Sequence, residues 1–118
     1  MTVKEFYEQI GGDYEDALGR LQNDVLIKRF LKMLPKADSL HLLEEAMQAS
    51  DAEKAFRAVH TLKGVSLNLS LKELAGACSV MTEALRGVTV LPENASELYE
   101  GVKREYARVK EGLARIGE

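Results

Sequence analysis

Residues 58–69 read Ala-Val-His-Thr-Leu-Lys-Gly-Val-Ser-Leu-Asn-Leu. The apolar residues of this stretch recur every three or four positions, which predicts an amphipathic α-helix. The buried stripe of that helix is centred near Val59 and Ser66. Because successive residues turn by 100°, His60 lies roughly 130° from this centre. We therefore predict a histidine that faces outward from a long helix.

The predicted surroundings of His60 favour a reactive site. Lys63 and Gly64 follow by three and four residues, so both border the histidine on the helix surface. Imidazole titrates near neutral pH, which leaves one ring nitrogen free to attack an electrophile. Glycine costs a helix interior about 1 kcal/mol relative to alanine, and an open approach for a partner or a phosphoryl group compensates for that cost. Phe56 and Leu67 share the same face and indicate a docking surface.

Helical spacing extends over most of the chain and predicts an all-α protein. Two short helices come first, Val3 to Ile10 and Asp13 to Leu21, separated by a Gly11-Gly12 breaker. From Asn23 an apolar stripe crosses Pro35, which favours one long bent helix, with a break near Pro35 as the alternative. The residues of this stripe are Leu26, Phe30, Met33, Ala37, Leu40, Leu43 and Met47. Ile27, Leu31 and Leu34 lie off the stripe, and we expect them to extend the docking surface.

Capping patterns divide the rest of the chain. Capping boxes at residues 50–53 and 70–73 predict the start of two helices, and Pro92 suits the first turn of a last one. Short connections favour antiparallel neighbours. The fold class is therefore predicted as all-α, an up-down antiparallel four-helix bundle with a short N-terminal helical arm. We assign residues 1–118 to a single domain, with the arm at about 1–21 and the bundle at about 23–116.

Composition excludes several classes of function. The chain has 118 residues and a net charge of −3, and no stripe of Lys or Arg indicates nucleic-acid binding. No apolar run is long enough to span a membrane, and the first residues lack a signal peptide, so we expect a cytoplasmic protein. With one cysteine, Cys78, no internal disulfide forms, and we predict a buried thiol. The two histidines form no Glu-x-x-His metal motif, and His41 is assigned a structural role.

The pattern around His60 resembles the histidine-containing phosphotransfer (HPt) domain family. The signature of that family, His-x-Leu-Lys-Gly, then a small residue, then Asn-Leu-Gly, is matched by His60, Leu62, Lys63, Gly64, Ser66, Asn68 and Leu69. Ser70 stands where the family usually has glycine, and we expect it to cap the next helix. Val65 is bulkier than the residue often found there.

This resemblance implies a role in a two-component phosphorelay. His60 would accept a phosphoryl group from the aspartyl phosphate of a receiver domain and pass it to another receiver, as a phosphohistidine phosphoprotein. Lys63 would stabilise the charge of the phosphoryl group, and Gly64 would leave room for its approach. The chain has no nucleotide-binding glycine loop and no acidic pocket, so Mg²⁺ is expected in the partner receiver and no cofactor here. It would be a carrier rather than a self-sufficient kinase.

The expected partners are response-regulator receiver domains and a hybrid histidine kinase, and the chain is expected to be a monomer. Two rival interpretations remain open at this stage. One is an HPt-like adaptor that binds a receiver or kinase without being phosphorylated. The other is a helical interaction module whose histidine is incidental.

Overall fold

The computed structural model describes residues 1–36 and 39–116, and this described part contains helices and no strand. It forms seven α-helices and one short 3-10 segment. Their bounds are α1 (Val3–Ile10), α2 (Tyr14–Leu21), α3 (Asp24–Met33), the 3-10 segment (Leu34–Lys36), α4 (Ser39–Gln48), α5 (Ala52–Asn68), α6 (Lys72–Leu85) and α7 (Ala95–Leu113). The predicted all-α class is confirmed.

The two N-terminal helices occupy the predicted positions but pack into the core. Thr2 caps α1 by accepting a hydrogen bond from the Glu5 backbone, and Asp13 caps α2. Phe6 and Tyr7 of α1 are completely buried. The predicted arm therefore contributes large side chains to the same apolar cluster as the rest of the chain.

The predicted long bent helix is wrong, and the alternative of a break near Pro35 is observed. Helix α3 ends at Met33, the 3-10 segment contains Pro35, and α4 begins at Ser39. Proline has no backbone N–H to continue the helical hydrogen bonds, and its ring clashes with the carbonyl of the preceding turn. Of the predicted stripe, Ala37 lies outside the described residues.

The predicted buried face of α3 is also wrong. Ile27 and Leu31 are completely buried, whereas Phe30 and Met33 are 41% and 54% exposed. Both faces of this helix are apolar, so spacing alone did not decide between them. Contact with α1 and α2 selects the face that bears Ile27 and Leu31. These two side chains and Leu34, which is also buried, belong to the core and are removed from the predicted docking surface.

Helices α4 to α7 form the main body. Helix α5 packs between α4 and α6, and α6 packs against α7. The Tyr106 hydroxyl of α7 donates a 3.4 Å hydrogen bond to the Leu34 carbonyl, which ties the last helix to the 3-10 segment. This order of neighbours is consistent with the predicted up-down four-helix arrangement.

The residues that begin the later helices differ from the predicted ones. Asp51, not Ser50, caps α5, and its side chain accepts a 3.1 Å hydrogen bond from the Lys54 backbone. Helix α7 begins at Ala95, so Pro92 lies in the preceding loop instead of the first turn. Asp51 is the N-cap residue because it lies directly before the helix, where its carboxylate reaches the free N–H groups of the first turn.

The turn between α5 and α6 also differs from the prediction. Ser70 has a left-handed backbone with φ of 54°, and α6 begins at Lys72 without a side-chain cap. The Ser70 hydroxyl donates a 2.5 Å hydrogen bond to Asp16 of α2. Ser70 therefore joins this turn to the N-terminal helices instead of capping α6.

Candidate functional site

Helix α5 presents His60 to solvent, as predicted. Asp51 begins the helix, and Val59 and Ser66 are completely buried on its inner face. The Ser66 hydroxyl is satisfied by a 2.7 Å hydrogen bond to the Leu62 carbonyl. His60, on the opposite side, is exposed. The imidazole is therefore accessible to a macromolecular partner.

Gly64 leaves open space one turn after His60. A Cβ atom added at Gly64 would meet no atom within 4 Å apart from its own helix and chain neighbours. The glycine is therefore not required by packing inside this chain. Lys63 is half-buried beside it and keeps a cation on the same side of the helix. The open space and the cation fit the approach of an anionic group to His60.

Phe56 orients the imidazole from the preceding turn. Its ring stacks on that of His60, with ring centres 5.7 Å apart and planes 9° from parallel. Such aromatic pairs prefer a limited set of geometries, so the stack restricts rotation of the histidine ring. Leu67 lies on the same face and is 48% exposed. Both residues occupy the predicted surface around His60.

On one side of His60 lies a charged pair that the sequence interpretation missed, formed by Glu83 of α6 and by Arg86, which directly follows this helix. The Arg86 guanidinium lies over the Phe56 ring, 5.4 Å from its centre. Arg86 donates hydrogen bonds of 3.0 and 3.3 Å to the Glu83 carboxylate. These bonds, and the charge of Arg86, lower the pKa of Glu83. The charges of Lys63 and His60 act in the same direction, which puts Glu83 in their electrostatic neighbourhood.

A signal for this pair was present in the sequence. In a hairpin of antiparallel helices, residues at equal distances from the turn lie side by side. The α5–α6 turn is centred near Ser70, so positions close to 84 lie opposite Phe56. Pairing the two predicted helices in this way would have brought Glu83 and Arg86 to the site.

On the other side of His60, α5 and α3 border an apolar groove. Its volume is about 590 Å³, and it is lined by Arg20, Leu21, Phe30, Met33, Leu34, Val65, Asn68 and Leu69. Asn68 follows His60 by about two turns on α5. The exposed apolar residues that α3 contributes are thus Phe30 and Met33, where the sequence interpretation had Ile27 and Leu31.

The remaining candidate groups lie apart from the site. Exposed His41 is paired through Nε2 with Glu45 at 2.6 Å. Cys78 is completely buried, as predicted, and burial raises the pKa of its thiol to about 12. Within residues 1–36 and 39–116, no three His, Cys, Asp or Glu side chains are grouped so as to hold a metal ion. In the same described residues, no helix combines the length and hydropathy needed to cross a membrane.

Comparison with known proteins gives a family match. The family model described as Hpt domain matches residues 25–116, which is more than half of the chain and includes α5 and α6. No curated protein and no solved structure matches.

Proposed function

Because the chain belongs to the Hpt domain family, we propose that His60 relays a phosphoryl group between the aspartates of receiver domains through a phosphohistidine. Hpt domains are phosphocarrier modules of two-component phosphorelays. The observation that supports the assignment to His60 is its exposure on α5 beside the open space at Gly64. The nucleophile of a phosphoryl transfer must be reached in line by the partner's phosphorus atom.

The proposed step is a direct exchange of bonds at phosphorus. The unprotonated ring nitrogen of His60, which we assign to Nε2, attacks the phosphorus of the receiver's aspartyl phosphate. An N–P bond forms, the acyl O–P bond breaks, and its electron pair leaves with the aspartate carboxylate. The ring proton on Nδ1 stays until water accepts it, and the reverse sequence delivers the phosphoryl group to a second receiver. The Mg²⁺ ion that neutralises phosphoryl charge is expected in the receiver.

Lys63 is the proposed electrostatic partner of the phosphoryl group. Lys63 follows His60 by one helical turn, and its ammonium can follow the phosphate oxygens on a flexible stem. We expect Lys63→Ala to slow transfer while leaving the helical circular dichroism and the melting temperature nearly unchanged. A variant that unfolds would show that Lys63 is structural.

The surface proposed for the receiver surrounds His60. Phe56 and Leu67 supply apolar area on α5, and Phe30 and Met33 continue it along the groove on α3. An exposed apolar surface around a polar centre is typical of a site for protein docking.

A transfer experiment tests this function. The protein is incubated with radiolabelled, phosphorylated receiver domains from the same genome, and the label is tested for acid lability and base stability. We expect such label on the wild-type chain and none on His60→Gln. His41→Gln is the matched control, because it removes the other histidine, which is also exposed. It should keep the label.

Two results would contradict the proposal. Label that persists in His60→Gln would assign the phosphoryl group to another residue. A receiver that binds the chain without transferring label, for every receiver tested, would favour the adaptor interpretation.

A further inference from the structure

A carboxylate stands beside a site that would carry a phosphoryl group, and the motif around His60 gives it no role. Glu83 is within the electrostatic reach of both His60 and Lys63. A phosphoryl group carries a charge of about −1.5 to −2 near neutral pH, so Glu83 would repel it. At the same time Glu83 binds Arg86, the second cation of the site, in a two-pronged ion pair.

We propose that Glu83 and Arg86 form a partner-exchange pair that sets how readily phosphorylated His60 gives up its phosphoryl group. This inference rests on the proposed function. In the unphosphorylated protein Glu83 holds Arg86. When His60 carries the phosphoryl group, Arg86 turns from the carboxylate to the phosphoryl oxygens. Glu83 then opposes the phosphoryl charge and competes for Arg86, which favours transfer to the receiver.

Phe56 is the residue that links Arg86 to His60. The guanidinium rests over the Phe56 ring, and the same ring stacks on His60. Arg86 and His60 therefore both contact Phe56, and in the proposed exchange the Arg86 side chain rotates from Glu83 toward His60. A guanidinium binds carboxylate and phosphoryl oxygens with the same paired geometry, so the two anions are direct competitors. The higher charge of the phosphoryl group favours it in this competition.

The first variant is Glu83→Gln, which removes the negative charge and keeps the size of the side chain. We expect the equilibrium share of phosphoryl on His60, relative to a receiver aspartate, to rise about two- to fivefold. This range follows from unit charges several ångströms apart at a solvated surface, screened by physiological salt. The matched control is Glu111→Gln on α7. Glu111 pairs with Arg115 at 3.0 Å and is similarly exposed, so the control makes the same change in net charge far from the site.

The second variant is Arg86→Gln, alone and combined with Glu83→Gln. Arg86→Gln should lower the share of phosphoryl on His60. If Arg86 changes partner, Glu83→Gln should raise that share more strongly with Arg86 present than in the Arg86→Gln background. A second readout needs no receiver: His60 is phosphorylated with phosphoramidate, and the half-life of the phosphohistidine is followed by phosphorus NMR. Glu83→Gln should lengthen that half-life.

The outcomes separate this inference from the proposed function. Wild-type chain that takes no label from receivers and none from phosphoramidate would overturn both. If His60 is labelled but Glu83→Gln behaves like Glu111→Gln, the function stands and the exchange is refuted. An equal effect of Glu83→Gln with and without Arg86 would also refute the exchange, because it would leave only direct repulsion.

Discussion

The open space at Gly64 leads to a prediction in which stability and function move in opposite directions. Replacing Gly64 by leucine fills a position where an added Cβ meets nothing within 4 Å. Glycine in a helix interior costs roughly 0.5–1 kcal/mol, and leucine is a strong helix former. We expect Gly64→Leu to raise the free energy of unfolding by about that amount. The melting temperature of a domain of this size should rise by about 2–4 °C.

The same substitution should damage transfer. Side chains four residues apart on a helix have Cβ atoms about 5–6 Å apart, and a helical leucine leans toward the preceding turn. At position 64 the leucine would therefore cover the approach to His60. A misplacement of about 1 Å between reacting groups costs on the order of a hundredfold in rate. We expect a loss of at least about tenfold in the rate of transfer from a phosphorylated receiver.

Gly76→Leu is the matched control for this prediction. Gly76 lies inside α6, is exposed, and would also accept a Cβ without contact. It borders a groove toward α7, with Gly101 and Arg104. Urea unfolding should show a similar gain in stability for both leucine variants, while only Gly64→Leu slows transfer. Equal transfer rates for the two variants would refute the proposed role of the open space.

Three further predictions concern the core. Urea unfolding should show that Leu31→Ala lowers the free energy of unfolding by about 2–5 kcal/mol, because Leu31 is buried, and that Phe30→Ala lowers it by no more than about 1 kcal/mol. The reverse order would contradict the assignment of the buried face. Gly112→Ala should lower stability by about 1–3 kcal/mol in thermal unfolding, because the added Cβ would lie 2.6 Å from the Phe6 ring. A more stable variant would show that the ring moves aside freely. The Cys78 thiol, with its pKa raised from 9.0 to about 12, should react with a disulfide reagent at pH 8 only as fast as the chain unfolds. Rapid labelling of the folded chain would contradict this burial. Because the thiol loses its proton at lower pH in the unfolded chain than in the folded one, the contribution of Cys78 to stability should fall as pH rises from about 9 to about 12.

The orientation of α5 could be predicted from the sequence because its two faces differ in chemistry. Val59 and Ser66 lie on a face of small and apolar residues, whereas the face of Phe56 and Leu67 also carries the polar His60 and the charged Lys63. Only one rotation of α5 about its axis buries the first face and exposes the second. Its capping residue was predicted one position too early, because both Ser50 and Asp51 are residue types that cap helices.

The orientation of α3 could not be predicted in the same way. Its sequence offers two apolar stripes, one through Ile27 and Leu31 and one through Phe30 and Met33. Periodicity gives both the same weight. Only packing against α1 and α2 decides which stripe is buried, and this information lies in residues distant along the chain.

The pair of Glu83 and Arg86 could not be predicted from each segment alone for a related reason. Neither residue stands out in the pattern of its own segment. Their relation to Phe56 exists only between helices. Ser70 shows the same limit, since its hydroxyl binds Asp16 of α2 in a contact that local capping rules do not include.

The anchoring of the N-terminal helices determines how the protein can be divided. The family match begins at residue 25, but the Tyr7 hydroxyl donates a 2.6 Å hydrogen bond to the Leu69 carbonyl at the end of the histidine helix. Lys72 pairs with Asp13 at 3.3 Å across the same turn. A fragment trimmed to the matched region would lose these ties together with the buried Phe6 and Tyr7 rings, and it would expose the apolar side chains that those rings cover. Recombinant fragments intended for transfer assays should therefore keep residues 1–24.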